Sequence, residues 1–387
     1  MFRRFSKIAL IASVALLGCS AAGPVDDDLR DDPSDPDWRG DPGQPMPGDL
    51  WGGDDGEGGK ADGPDDPGAP CPDGAICVDS LPFSHQGTTT GASADLDGYG
   101  CAPDTNESGP EVVYRLDVPE QGLLVASLDG LGSGVDVDVH ILQQLDAGAC
   151  IDRGHWDAAA LLAPGRFWIV VDSWVDDTGS AHDGSYELTV ALNTANDYLS
   201  EDLHPTVLEA GLRSFARAWA AGETEALEYG IVDYTMRSTK PRFFVLDLRE
   251  GNMLYREMVT HGSGSQDPSD MTLTGSMSNV SGSHSSSLGL VRAAETYYGS
   301  NGYSLRIDGL ESGFNDNDRS RAIVVHGADY ATQSYVNANG YLGRSWGCPA
   351  VDPAVNEQLI DTLKDGRLIL KYFDQQSWLS GSEYVRP

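Results

Sequence analysis

The chain has 387 residues and a formal charge of −35, with 60 acidic side chains against 25 basic ones. Nothing in so acidic a composition would neutralise phosphates, which excludes nucleic acid as a partner, and the length exceeds one ordinary core. The excess is uneven: residues 24–70 hold 15 acids and 3 bases, residues 71–196 hold 20 and 3, and residues 197–387 hold 25 and 16.

Arg3, Arg4 and Lys7 precede an apolar run from Ile8 to Leu17. The run is too short to span a bilayer as a helix, so residues 1–18 read as an export signal. It closes on Leu16-Leu17-Gly18-Cys19. That tetrad resembles the lipobox of bacterial lipoproteins, which implies a diacylglyceryl anchor on Cys19. Ser20 stands where an acidic residue is absent. In lipoproteins of diderm bacteria this implies the outer membrane, and hence a protein of the cell envelope on the periplasmic face. Residues 19–70 are dominated by Asp, Gly and Pro and cannot build a core. They are expected to be a disordered, self-repelling tether. The Asp runs lack the alternating ligand spacing of a Ca²⁺ loop.

Residues 71–195 read as all-β. Strands are expected at Glu111–Val118, Leu123–Leu128, Val135–Leu142, Arg166–Val171 and Ser185–Val190, with Gly- and Asp-rich turns between them. Short strands at this spacing predict a β-sandwich. Their order resembles the pre-peptidase C-terminal type of domain, implying an accessory or binding role. Asp136, Asp138 and Asp172 are read as exposed strand residues rather than a metal site. Four cysteines fall in this half, Cys71, Cys77, Cys101 and Cys150. They allow three pairings in an oxidising compartment. Proximity favours Cys71–Cys77, leaving Cys101–Cys150 as a staple.

Residues 196–387 read as a separate α+β domain. Thr206-Val207-Leu208-Glu209 has the form of a capping box, and Leu208, Leu212, Phe215, Ala216 and Trp219 mark one helical face ending at Gly222. Strands are expected at Glu228–Met236, Arg242–Leu248, Met253–Val259, Arg321–His326 and Arg367–Phe373. A helix begins at Asp352-Pro353, turns Val355, Leu359, Ile360 and Leu363 inward and ends before Gly366.

Cys348 has no structural duty left to it. It sits in Gly343-Arg344-Ser345-Trp346-Gly347-Cys348-Pro349, four residues ahead of a helix start, while His326 ends a β-branched run. A thiol attacks as thiolate, so it needs a neighbour that lowers its pKa or takes its proton, and an imidazole does both. The amides of Gly347 and Cys348 are expected as oxyanion donors. Zinc is excluded, because Cys348 has no companion cysteine and the histidines lack ligand spacing.

Ile323-Val324-Val325-His326-Gly327-Ala328 followed by Ser345-Trp346-Gly347-Cys348-Pro349 resembles the catalytic core of the L,D-transpeptidases. Ser283-His284-Ser285-Ser286-Ser287-Leu288-Gly289 and Tyr303 to Leu310 look like the divergent murein branch of that family. The four blocks occur in order over roughly residues 228–374. The resemblance implies that Cys348 attacks the third residue of a peptidoglycan stem peptide and expels a terminal D-Ala, with His326 handling the proton. A backbone carbonyl near Gly327, rather than Asp329, would orient the imidazole. No metal or organic cofactor is implied. The acyl acceptor would be a stem amine, giving a 3→3 cross-link, or an amine of an outer-membrane protein. Ser345, Arg344, Trp346 and His284 are the substrate-binding candidates. Trp346 and Pro349 replace the histidine before and the basic or amide residue after the family's commonest Gly-Cys pair. An L,D-carboxypeptidase or cross-link hydrolase on the same fold, and a non-catalytic peptidoglycan-binding lipoprotein, remain as alternatives. The expected fold is therefore an all-β sandwich followed by an α+β, mainly β, L,D-transpeptidase-like domain.

Overall fold

The computed structural model describes residues 71–387 apart from Asp73. The export signal, Cys19 and the tether lie outside the described residues.

The first half supplies nine strands: β1 (Ile76–Val78), β2 (Phe83–Thr88), β3 (Glu111–Val118), β4 (Gly122–Asp129), β5 (Val137–Leu142), β6 (Cys150–Gly154), β7 (Asp157–Leu162), β8 (Gly165–Ser173) and β9 (Ser185–Thr194). They form a five-stranded sheet in the order β1-β3-β8-β5-β6 and a four-stranded sheet in the order β2-β9-β4-β7. Every second residue of each strand points inward. Tyr114, Leu116, Leu124, Ala126, Val139, Ile141, Ile169 and Val171 fill the space between the sheets. The expected strands are present. β1 is only three residues long, β2 and β6 each hold a single β-branched residue, and β7 is largely alanine and leucine.

The outer face of the five-stranded sheet is covered by the loop that carries Tyr99 and Glu107, and Cys101–Cys150 ties that loop to β6 with its Cα atoms 5.4 Å apart. Cys71 and Cys77 are joined as well. This cover corrects the expectation of exposed aspartates. Asp138 is buried and pairs with Arg153 at 2.5 Å. Asp172 is buried too and accepts the Tyr99 hydroxyl at 2.6 Å, while Asp136 keeps partial exposure. Glu107 joins the network through His140 at 2.7 Å and Arg153 at 2.7 Å. Alternation placed these side chains outward correctly, but the loop takes outward for inward.

The second half contains α1 (Pro205–Ala220), β10 (Glu228–Asp233), β11 (Phe243–Asp247), β12 (Asn252–Glu257), β13 (Gly289–Gly299), β14 (Gly302–Gly309), β15 (Val324–Gly327), α2 (Gln333–Asn339), β16 (Ala350–Val351), α3 (Pro353–Leu363), β17 (Leu368–Tyr372) and α4 (Gln376–Gly381). The eight strands form one sheet in the order β12-β11-β10-β17-β13-β14-β15-β16, with β10–β17 and β15–β16 parallel. Leu359, Ile360 and Leu363 of α3 pack on Val232, Val245, Val325 and Ile369 on one face. α1 packs on the other, against Tyr229, Ile231, Phe244 and Leu370. Asp352 caps α3 by accepting the Ala354 N–H at 2.9 Å, with Pro353 in its first turn.

The start of α1 differs from the capping box expected at Thr206. Pro205, with no N–H to satisfy, occupies the first turn, and the His204 ring accepts the Thr206 N–H at 3.2 Å. Glu209 is thereby one turn in and pairs with Arg213 at 2.6 Å. Arg321–Ile323 also depart from the expected strand. Ala322 adopts φ +55°, and Ile323 N–H donates to Asp318 O at 2.9 Å, so a tight turn delays β15 to Val324.

The apolar run of β4 is explained by burial on both faces. Leu124 and Ala126 enter the sandwich, while Leu123 and Val125 join the cluster of α1 with Leu208, Leu212 and Phe215. Polar links reinforce this seam: Trp219 Nε1 donates to Asp152 at 2.9 Å, Arg249 pairs with Asp157 at 2.7 Å, and Asn193 Nδ2 donates to Leu248 O at 2.9 Å. Phe215→Ala should cost about 3–5 kcal/mol. Because the cluster is shared, thermal unfolding followed by tryptophan emission and by far-UV circular dichroism should move to lower temperature together. Displacement of one signal alone would show that the seam does not couple the two halves.

Candidate active site

β15 ends on His326 and Gly327, and its parallel partner β16 sets His326 opposite Ala350, two residues after Cys348. His326 is only 3% exposed. Its Nδ1 lies 2.9 Å from Gly327 O. A carbonyl only accepts, so Nδ1 carries the hydrogen and Nε2 holds the lone pair. Burial moves the imidazole pKa below its ordinary value, although the Gly327 contact opposes this. The ring is accordingly neutral at neutral pH, with its basic nitrogen free.

The cysteine loop has little ladder of its own and is held by hydroxyls. Ser345 N–H donates to His261 O at 3.1 Å and Ser263 N–H to Ser345 O at 2.8 Å. Thr260 Oγ1 donates to Cys348 O at 3.2 Å and accepts the Ala350 N–H at 3.1 Å. Ser345 Oγ donates to the same Cys348 O at 2.6 Å and accepts the Gly347 N–H at 3.1 Å. Ser286 Oγ reaches Gly347 O at 3.2 Å and accepts the Gly262 N–H at 3.0 Å. Two expectations change here. Ser345 is buried and ties the loop together instead of facing substrate. The Gly347 N–H is engaged by Ser345 and is not an open oxyanion donor, which leaves the Cys348 N–H, without a partner among the described residues.

Gly347 is required for another reason. Its φ is +116°, and a Cβ there would lie 2.6 Å from Ser285 O and 2.7 Å from Ile323 Cδ1. The Cys348 thiol points to Ala322 O at 3.7 Å. Burial pushes it above the ordinary thiol pKa. The Val324 N–H pulls it down, Asp318 pushes it up, and Lys371 and Arg321 pull it down. The resting pair is therefore a neutral thiol and a neutral imidazole.

Residues 199–372 match the family model of the L,D-transpeptidase catalytic domain. This segment is similar to L,D-transpeptidase catalytic domains. Among solved structures, an L,D-transpeptidase from Mycobacterium smegmatis is 16% identical, over 38% of this chain and 59% of that one, with a TM-score of 0.24. The L,D-transpeptidase LdtMt1 in complex with imipenem is 12% identical, over 66% and 95%, with a TM-score of 0.25. The pre-peptidase C-terminal domain of collagenase from Bacillus anthracis is 19% identical, over 32% and 99%, with a TM-score of 0.22. No curated protein sequence matches the chain.

Around the Cys348 thiol, Trp346 is 73% exposed and its indole stacks on the exposed His284 ring, 4.5 Å between centroids and 8° from parallel. His284 holds φ +55° to present that face. Arg344 turns away: it hydrogen-bonds Gln266 and lies over the Tyr341 ring at 5.5 Å. The backbone segment Thr260–Ser263 was not singled out from sequence. Its signal was present, since Val259-Thr260-His261-Gly262 repeats the strand-end His-Gly pattern of Val325-His326-Gly327.

His261 is fully buried, and Arg242 Nη2 donates to its Nδ1 at 3.0 Å. Arginine has no acceptor, so Nε2 carries the hydrogen, and that N–H has no partner among the described residues. Burial first, then Arg242 and Arg344, push this imidazole down to about 3. Between its ordinary value and about 3 the unfolded chain binds more protons than the folded one. The stability present near neutral pH is therefore lost as pH falls, by up to about 1.4 kcal/mol per unit from this group. Urea titrations should give midpoints that fall from about pH 7 to pH 4, and His261→Gln should flatten that decline. An unchanged slope in the variant would assign the acid sensitivity elsewhere.

Proposed function

We propose that this chain is an exported cysteine acyltransferase acting on peptidoglycan stem peptides. The observation that carries the reading is an unpaired cysteine two residues before Ala350, the β16 partner of His326, with that histidine fixed through Nδ1, inside the segment that matches the L,D-transpeptidase model. His326 Nε2 takes the Cys348 proton as sulfur attacks the carbonyl of the third stem residue. The Cys348 N–H stabilises the oxyanion. The C–N bond to the terminal D-Ala then breaks, and the proton passes from His326 to the leaving amine. In the second half an acceptor amine gives its proton to Nε2 and forms the new C–N bond, while the C–S bond breaks and the thiol is restored. A neighbouring stem as acceptor gives a 3→3 cross-link; an outer-membrane protein is the other amine source. Gly347 and Ser345 hold the loop in place, and Trp346 with His284 forms a wall of the substrate path. Arg344 would have to exchange Gln266 for a stem carboxylate.

The export signal and the Leu16-Leu17-Gly18-Cys19 tetrad support a lipid anchor at Cys19, on the periplasmic face of the outer membrane. The sandwich at 71–195 then serves as an accessory module on the tethered enzyme.

Purified protein incubated with tetrapeptide muropeptides should release D-Ala and form 3→3 dimers. Cys348→Ala should abolish both products, and His326→Ala should slow them by about 10²–10⁴. Tripeptide monomers alone would identify water as the acceptor. Dimers from Cys348→Ala would end the thioester mechanism.

A further inference from the structure

Beneath the cysteine loop lies a group of charges that the acyl-transfer mechanism above leaves unused. Lys371, from the centre of β17, and Asp318, from the turn before β15, are 1% and 0% exposed. Lys371 Nζ donates to Asp318 and, at 2.6 Å, to Ser287 Oγ, which itself donates to Asp318 Oδ1 at 2.5 Å. Arg321 is nearly as deep, with its guanidinium 3.9 Å from Asp318. It donates to Ser278 O at 2.7 Å and to Ser285 O. Carbonyls satisfy its N–H groups without cancelling its charge. Burial lowers both Lys371 and Arg321 from their ordinary values while Asp318 raises them, so two basic groups share one nearby carboxylate, and buried charge without a counter-charge is costly. Glu311, the next carboxyl along, is engaged by Leu290 N–H at 2.6 Å and Trp378 Nε1 at 2.9 Å, and burial pushes it up.

The unbalanced side of this group faces the nucleophile. A Cβ on Gly347 would sit 3.3 Å from Arg321 Nη2. The Cys348 sulfur rests on the carbonyl of Ala322, the residue after Arg321, and the left-handed backbone of Ala322 makes that approach. We propose that the buried Arg321–Asp318–Lys371 cluster is the counter-charge of the Cys348 thiolate, with Arg321 and Lys371 as positioning residues for the nucleophile. The other titratable groups around the thiol do not compete for this role. His326 on β15, His261 beside the loop, Tyr234 after β10 and Tyr330 after β15 are all pushed by burial toward their neutral forms. Arg242 is committed to Val259 O and His261, Arg344 to Gln266, and His284 stands outside against Trp346. The thiol feels the cluster with both signs, Asp318 raising it and Lys371 and Arg321 lowering it.

The inference rests on Cys348 as nucleophile but is tested without turnover. Iodoacetamide labelling of Cys348 in the full chain, read as the mass of its proteolytic peptide, is followed against pH. Arg321→Gln should move the labelling midpoint up by about one pH unit, roughly tenfold less labelling at a fixed pH below it. Asp318→Asn should move it down, and Arg321→Lys should stay near the parent chain. Shifts of the same sign in Arg321→Gln and Asp318→Asn, no shift in either, or Arg321→Lys behaving as Arg321→Gln would each overturn the proposal. Product formation by Cys348→Ala would remove the nucleophile assignment while leaving this titration readable.

Discussion

The site depends on one close approach, the Gly347 α-carbon against the Ser285 carbonyl, which leaves no room for a Cβ. From it follows the rest of the loop. Gly262 has the same property, since a Cβ there would meet His284 O at 2.2 Å and Gly347 N at 2.9 Å. Three segments distant in sequence, around residues 261, 285 and 347, are thus pressed together by their backbones. Such contact leaves many N–H and C=O groups without a ladder. Hydroxyls of Thr260, Ser286 and Ser345 supply the missing partners. The serine-rich stretch before β13 is therefore not a loose linker: Ser285, Ser286 and Ser287 are all buried, each with a different partner.

In the proposed mechanism, the two basic groups under the loop and the neutral imidazole of β15 divide the work of one proton. Burial alone disfavours a thiolate. In that proposal Lys371 and Arg321 act against the penalty and Asp318 with it, while His326 offers a lone pair.

Much of the fold was legible because β-branched runs and period-2 alternation survive wherever one face is buried. β3 was readable at both ends, and α3 through Asp352, Pro353 and its apolar face. What escaped had physical reasons. β7 is rich in alanine, the capping of α1 was taken over by Pro205 and His204, and the left-handed Ala322 broke a run that composition made continuous. The burial of Asp138 and Asp172 depends on a loop fastened across the sheet, which no local pattern encodes. In the site, Cys348, His326 and Gly347 were visible as a motif, and the Gly327 carbonyl was expected where the ring meets it. The roles of Thr260, His261, Arg321 and Lys371 were hidden, since each acts through a residue far along the chain.

The stacked pair at the mouth of the site has an optical consequence. Trp346 is largely in water, with one face already covered by an imidazole that can quench an excited indole. A stem peptide bound as proposed would change either the hydration of that ring or its contact with His284. Trp346 is one of eight tryptophans, so the difference in emission between the parent chain and Trp346→Phe isolates the ring that stands two residues from Cys348.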